Sequence, residues 1–250
     1  MIRLALAFLL ALCVSAQAQL SGGAGGFPGP GTPHTSAAAP AYTYIGGTAS
    51  GSSGSGISQA FNLGANATCK VVVGVESSSG TTPTVTVSVG GVGLTQDIVK
   101  SAAASLLNAF IFSGDLVSCS GSQTVAMTST AGSFSYRSVS VYVLTNTISS
   151  TVVQTGGYSE ASGTKTPASP TINVTAGDLL FAAGIGLGGA SITTCSGSSV
   201  APNAVNHVAG GSPSASDFMA DWLIASTNAS FATVCSSSSN SNAVAAATYH

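Results

Sequence analysis

The stretch 84–89 reads Thr-Val-Thr-Val-Ser-Val, and the stretch 138–144 reads Ser-Val-Ser-Val-Tyr-Val-Leu. Valines alternate with hydroxyl-bearing residues in both, so an extended backbone would place the valines of each stretch on one face. A half-buried antiparallel strand requires this alternation, because one of its faces packs on a core and the other meets water. Both stretches therefore predict antiparallel β-structure.

The same kind of segment recurs along the remainder of the chain. Short apolar or β-branched runs appear at spacings of roughly ten residues, separated by clusters of Gly, Ser, Asn and Pro that favour turns. This arrangement predicts an all-β fold, namely an antiparallel β-sandwich or a jelly-roll-like variant of it.

An internal repeat links two parts of the chain. The segment 107–112 precedes a strand entering Cys119, and the segment 219–224 precedes a strand entering Cys235. Both parts then end in an alternating strand, 138–144 in one and 243–249 in the other. We expect two similar halves, 41–145 and 171–250, and we favour one shared core because each half alone would be a small unit.

The N-terminal region has the composition of an export signal. Arg3 precedes the apolar run 4–14, and Ala16-Gln17-Ala18 offers small residues for cleavage. The run is about eleven residues long, whereas a membrane span needs roughly twenty. The expected organisation is a signal peptide at 1–18, a flexible Gly/Pro-rich tether at 19–40 and a β-sandwich domain at 41–250.

Charge is scarce, since only 5% of the residues are Asp, Glu, Lys or Arg. Five basic residues against seven acidic ones cannot form the basic patch that nucleic-acid binding requires. No segment after the signal has the length and apolar character of a membrane span. We therefore expect no nucleic-acid partner and no membrane span after cleavage.

Four cysteines remain once the signal, which includes Cys13, has been removed. They are Cys69, Cys119, Cys195 and Cys235. An even number in an oxidising compartment predicts two disulfides, and three pairings are open. We favour one bridge within each half, joining Cys69 to Cys119 and Cys195 to Cys235. No close Cys–Cys spacing indicates a zinc site, so no metal or other cofactor is expected.

A resemblance adds to this picture. The segment 175–183, Thr-Ala-Gly-Asp-Leu-Leu-Phe-Ala-Ala, places a Gly-Asp turn before an apolar strand, and the tract 29–33 reads Gly-Pro-Gly-Thr-Pro. The segment resembles a strand opening in uncharacterised bacterial and phage-associated β-sandwich proteins, and the tract is similar to leaders in proteins of prophage regions. The resemblance implies a secreted or phage-associated bacterial protein with a jelly-roll-like β-sandwich.

Few residues could perform catalysis. A Ser/His/Asp triad would depend on His207, and no Gly-x-Ser-x-Gly motif accompanies it. Paired carboxylates for glycoside hydrolysis would come from Glu76 with Asp97, or from Asp217 with Asp221. The second pair, with Asn203 or Asn206, also offers oxygen ligands that could bind calcium. A solvated loop position is the ordinary explanation for these residues, so we assign no catalytic residue and expect no enzyme.

Aromatic residues suggest a different kind of site. Tyrosines tolerate water, and an outward-facing strip of them would suit carbohydrate binding. The candidates for this strip are Tyr42, Tyr44, Tyr136, Tyr142 and Tyr158. On a strand, Tyr42 and Tyr44 would lie on the same face.

The sequence thus favours an exported, non-catalytic module with a structural or adhesive role. Its partner would be an unknown surface component or a glycan, met outside the cell or at the cell surface, with the periplasm as the alternative compartment. A carbohydrate-binding module is the second hypothesis. A secreted hydrolase is the third.

Overall fold

The computed structural model describes the following residues: 41–51, 53–66, 68–78, 83–102, 107–129, 133–146, 154–160, 172–174, 177–187, 194–196, 204–206, 215–223, 229–231, 234–236 and 242–250. For most strands after residue 150 it describes the backbone and its register. The predicted signal peptide and tether, 1–40, lie outside the described residues, as does His207.

The fold is all-β, as predicted, and the described residues include no helix. The first half contributes strands β1 Ala41–Ser50, β2 Gly56–Asn66, β3 Cys69–Ser78, β4 Val85–Val89, β5 Val92–Gly93, β6 Thr95–Ala102, β7 Leu107–Leu116, β8 Cys119–Ser129 and β9 Tyr136–Thr145. The second half contributes β10 Gln154–Glu160, β11 Ile172–Val174, β12 Leu179–Leu187, β13 Thr194–Ser196, β14 Ala204–Asn206, β15 Ala215–Leu223, β16 Ala229–Phe231, β17 Val234–Ser236 and β18 Asn242–Tyr249.

Three larger sheets organise these strands, and all the pairings are antiparallel. The central sheet has the order β1-β9-β3-β7-β6, and the outer sheet has the order β2-β8-β4-β5. The third sheet has the order β10-β18-β12-β15-β14, and two small sheets pair β11 with β16 and β13 with β17. A two-residue turn closes the β4–β5 hairpin, where Gly90 and Gly91 both have positive φ, 57° and 85°, as a type I′ turn requires.

The two halves share one strand order. The central sheet has the order β1-β9-β3-β7-β6 and the third sheet the order β10-β18-β12-β15-β14, and these two orders match strand by strand if β5 is left without a counterpart. Strand β9 then corresponds to β18, so the predicted match of 138–144 with 243–249 agrees with the topology. The segment 107–112 lies in β7, and the described residues 219–223 lie in β15, which holds the corresponding place in the third sheet.

Two hydrophobic cores lie on opposite faces of the central sheet. The outer core, between the central and outer sheets, includes Val73, Val87, Phe112, Met127 and Val141. The inner core, between the central and third sheets, combines side chains of the first half with side chains of the second half. Its larger members are Ile111, Tyr136, Tyr142, Leu144, Leu179, Phe181, Ile185 and Tyr249.

The second core corrects one expectation. We predicted that the hydroxyl-bearing face of 138–144 meets water, yet Ser138 is 0% exposed and Ser140 is 2% exposed. The third sheet covers this face of β9, so the strand is buried on both sides. Alternation in the sequence therefore distinguishes two faces of β9 without indicating that one is solvated.

The cysteines of the two halves occupy different places. Cys69 at the start of β3 is bonded to Cys119 at the start of β8, so this predicted disulfide joins the central sheet to the outer sheet. Such a bond is compatible with an extracellular location. Cys195 in β13 lies directly opposite Cys235 in β17, within one small sheet. The two pairs therefore differ in placement, since Cys69 and Cys119 belong to different sheets whereas Cys195 and Cys235 belong to one.

The register of β13 and β17 predicts a second disulfide. Directly opposed residues of an antiparallel pair have Cβ atoms about 4.5–5.5 Å apart, close to the span that a disulfide bridges. We expect peptide mapping of the non-reduced protein by mass spectrometry to recover Cys195 linked to Cys235. Free thiols at both positions, or links to other cysteines, would contradict this pairing.

Candidate functional site

The predicted tyrosine strip does not lie on the surface. Tyr136 is 1% exposed and Tyr142 is 0% exposed, so for these two residues the expectation of an outward-facing strip is wrong. Tyr42 and Tyr44 are half-buried and both pack against the inner core. The physical reason is again the third sheet, which covers this face of the central sheet. The side chain of Tyr158 lies outside the described part of the structure.

Ring contacts show what these tyrosines do. The ring of Tyr142 lies 5.0 Å from that of Tyr44 and 5.0 Å from that of Phe181, measured between centroids. The Tyr42 ring meets the edge of Phe181 at 5.9 Å. Edge-on and tilted contacts at such distances stabilise aromatic clusters. The tyrosines therefore join the two halves of the protein and offer no exposed platform.

The carboxylates proposed as a catalytic pair are engaged separately. Glu76 is 0% exposed and its Oε2 accepts a 2.7 Å hydrogen bond from the Ser138 hydroxyl. Asp97 Oδ2 accepts a 2.6 Å hydrogen bond from the Tyr249 hydroxyl, which ties β6 of the first half to β18 of the second. Each carboxylate thus fixes a strand beside the inner core.

Burial raises the pKa values of both Asp97 and Tyr249. Desolvation raises the pKa of the Asp97 carboxyl above its ordinary value, against the opposing effects of hydrogen bonds from Tyr249 and Ser113 and of the Lys70 charge. Desolvation, followed by the Asp97 charge, raises the pKa of the Tyr249 hydroxyl well above its ordinary value. Both groups therefore hold their protons more firmly in the folded protein than in the unfolded chain.

The Asp97 shift has a consequence for stability. A raised folded pKa means that the group stabilises the fold fully below its unfolded pKa of 3.8, and that this contribution is lost as the pH rises through the folded pKa. Asp97→Asn keeps an acceptor for Tyr249 but cannot ionise. We therefore expect the variant not to lose stability through this group as the pH rises. Denaturant titrations at stepped pH above 3.8 should show wild type losing stability relative to the variant; parallel curves would contradict the expectation.

Two further polar contacts involve buried groups. Lys70, whose side chain is 0% exposed, places Nζ 3.0 Å from Oδ1 of the half-exposed Asp115. His250 places Nδ1 2.8 Å from Oδ1 of Asp178, whose side chain is 1% exposed. A buried carboxylate can orient an imidazole in this way.

The outer sheet presents a surface of different character. Its four strands contain no Asp, Glu, Lys or Arg. Inward-facing Val87, Val125 and Met127 are buried, whereas the residues between them point outward. We call this surface the outer face, and its exposed residues include Ser58, Ala60, Asn62, Thr86, Ser120, Ser122, Thr124 and Thr128.

Small side chains pair across the outer face. Asn62 lies opposite Ser122 and Ala60 opposite Thr124 in the β2–β8 ladder. Thr86 and Thr128 face each other in the β4–β8 ladder with their hydroxyl oxygens 2.8 Å apart. Cross-strand hydroxyl pairs of this kind stabilise a sheet. The outer face is therefore an uncharged surface of small, mostly hydroxyl-bearing side chains.

A cleft opens at the side of the same sandwich, between strands β1 and β2. These are edge strands of the central and outer sheets, and both depart from regular pairing where the cleft lies. The register of β1 shifts between Tyr44 and Gly46, and that of β2 shifts between Asn62 and Ala65. The resulting cavity, which we call the edge cleft, has a volume of about 430 Å³.

Apolar and polar groups both line the edge cleft. Ile45, Leu63 and Val143 line it with side chains that also pack in the outer core. Thr43, Thr145, Asn62 and Asn66 add hydroxyl and amide groups, and Tyr44 also borders it, although its ring packs on Tyr142. Of the predicted binding residues whose side chains the structure describes, only Tyr44 borders this cleft.

Sequence reasoning missed Asn62 and Asn66. The run Asn62-Leu63-Gly64 held a signal, because Asn and Gly together favour local turns. Gly64 has φ 101°, a region that favours glycine, and its N–H donates a 3.1 Å hydrogen bond to Asn62 Oδ1. This turn within β2 is the irregularity that shapes the cleft.

The described part of the chain shows neither a helix long and apolar enough to cross a membrane nor a group of three His, Cys, Asp or Glu side chains placed to hold a metal ion. Comparisons with protein-family models, curated proteins and solved structures gave no match. The outer face and the edge cleft are the two candidate functional surfaces of the described residues.

Proposed function

We propose that this protein is an exported, non-catalytic β-sandwich module with a structural or adhesive role at the cell surface or in an extracellular assembly. The observation that carries the proposal is the outer face, on which Thr86, Thr124 and Thr128 stand among other small uncharged residues. The sequence supports it with an N-terminal stretch typical of export signals.

The chemistry of the outer face suits adhesion. Burying a charged side chain against a partner carries a large desolvation penalty, whereas a hydroxyl can exchange its water for a partner's hydroxyl or amide. Small side chains on a regular sheet also allow close approach over a broad area. The Cys69–Cys119 disulfide joins the two sheets behind this surface and limits its deformation.

Fractionation of the native culture tests the proposal. We expect the mature wild-type protein, followed by antibody, to appear with the cell surface or with large extracellular particles. The double change Ser122→Glu/Thr124→Glu places two charges on the outer face and should move most of the protein to the soluble fraction.

A matched variant separates this effect from a general effect of charge. Thr95 is exposed at the start of β6, in the central sheet and outside the outer face, so Thr95→Glu should leave the distribution unchanged. A wild-type protein found as a free soluble monomer would overturn the proposal. The same distribution for wild type and the double variant would show that the outer face is not the adhesive surface.

A further inference from the structure

The edge cleft has the features of a small-molecule site. Ligand sites are concave, combine apolar walls with a few polar groups, and lie where regular structure is interrupted. Here the bulges in β1 and β2 open the cavity, and bulges are enriched next to functional sites because they re-aim side chains. Its volume of about 430 Å³ falls in the range for ligands of small-molecule size.

The groups that line the cleft indicate the chemistry of the ligand. None of the described residues that line it is Asp, Glu, Lys or Arg, so these residues offer an ion no countercharge. Ile45 is the accessible part of an apolar wall whose other members, Leu63 and Val143, are 1% and 2% exposed, and Asn62 and Asn66 are exposed residues on the β2 side. Amides and hydroxyls beside an apolar wall match a sugar ring, which has C–H groups on its faces and hydroxyls around its edge.

We propose that the edge cleft binds a neutral saccharide unit. The inference rests on the proposed function in one respect, because the saccharide is expected to be met outside the cell. It deepens that function by adding a specific site to the broad outer face. Asn66 is assigned the role of hydrogen-bonding saccharide hydroxyls, while Asn62 holds the turn at Gly64 that shapes the cleft.

The proposal predicts that substitutions at Asn66 and Thr43 lower saccharide affinity to different extents. Asn66→Ala removes a donor and an acceptor from the cleft without adding bulk, and we expect about a tenfold loss of affinity, as for one lost hydrogen-bonding group. Thr43→Trp fills the cleft from an exposed position on the edge strand β1 and should abolish binding. An aromatic residue is well tolerated in a strand, so the melting temperature should stay near that of wild type.

The test is a binding titration with a panel of neutral mono-, di- and tetrasaccharides built from glucose, galactose, mannose and N-acetylglucosamine. Chemical-shift changes in the full chain measure affinity and identify the residues affected. Gln59→Ala is the matched control, because Gln59 is an exposed amide on the same strand that does not line the cleft. We expect Gln59→Ala to bind like wild type.

Three outcomes would overturn the inference. The first is the absence of binding to any saccharide of the panel by the folded wild-type protein. The second is binding that Thr43→Trp leaves intact, and the third is an equal loss of affinity in Asn66→Ala and Gln59→Ala. Surface association tests the outer face independently, so a wild-type protein that adheres but binds no saccharide would refute the cleft and leave the adhesive role standing.

Discussion

The double change Cys69→Ala/Cys119→Ala is expected to lower the free energy of unfolding by about 4 kcal/mol. The bridge closes a loop with a sequence separation of 50 residues, and cross-linking such a loop restricts the unfolded chain far more than the folded one. It also connects β3 of the central sheet to β8 of the outer sheet, beside the outer core. Alanine suits the test because both cysteines are buried.

Urea titration followed by circular dichroism measures this change. Val117→Ala is a suitable control, because Val117 is 90% exposed close to Cys119 in sequence and should change the stability by less than about 0.5 kcal/mol. A loss below about 1 kcal/mol in the double variant would show that the bridge contributes little beyond the packing of the two sheets.

Local chemistry made the strands and this bridge predictable. Alternation along 84–89 correctly separates buried Val85, Val87 and Val89 from Thr86, which is exposed. The even number of cysteines predicted two disulfides, and the preference for one bridge within each half favoured Cys69 with Cys119, which is confirmed. These inferences succeeded because each depends on residues near in sequence or on a chemical rule that needs no knowledge of the fold.

Burial of both faces of the central sheet was not predictable in the same way. The pattern at 138–144 has one apolar face and one polar face, and nothing within it tells what covers the polar face. That face is buried because the third sheet packs on it, with Tyr142 in the inner core and the Ser138 hydroxyl donating to Glu76. The predicted tyrosine strip failed for the same reason, since Tyr142 belongs to that face.

The edge cleft escaped prediction for a different reason. It arises where two strands of different sheets, β1 and β2, come together with irregular register. Asn62 and Asn66 look like ordinary polar strand residues in the sequence, and their shared position becomes evident only when the register is known. The Asn-Leu-Gly run indicated a local turn but not the cavity that it opens.

The inner core explains how two halves of similar topology pack together. Strand β18 faces it with Ala243, Ala245 and Ala247, while the first half supplies the bulky ring of Tyr142. Small residues on one sheet therefore accommodate large ones on the other, as dense packing requires. Phe181 of β12 lies within this layer and touches rings from both halves, with Tyr42 at 5.9 Å and Tyr249 at 5.8 Å.

Phe181→Ala is accordingly expected to lower the free energy of unfolding by about 3–5 kcal/mol. Phe181 is 0% exposed, and its loss would leave a cavity bordered by three tyrosine rings that are anchored on other strands and cannot collapse into it. Because the inner core contains residues of both halves, the whole domain should unfold in a single transition that shifts as a unit.

Two probes of one denaturation curve test this cooperativity. Fluorescence of Trp222, the single tryptophan of the chain, reports on the second half, and far-ultraviolet circular dichroism reports on all strands. Phe134→Ala, in the outer core of the first half, is the matched variant. If the inner core couples the halves, Phe134→Ala shifts the Trp222 transition together with the circular dichroism transition. If Phe134→Ala leaves the midpoint of the Trp222 fluorescence transition unchanged, the two halves unfold independently. Phe181 would then stabilise only its own sheet.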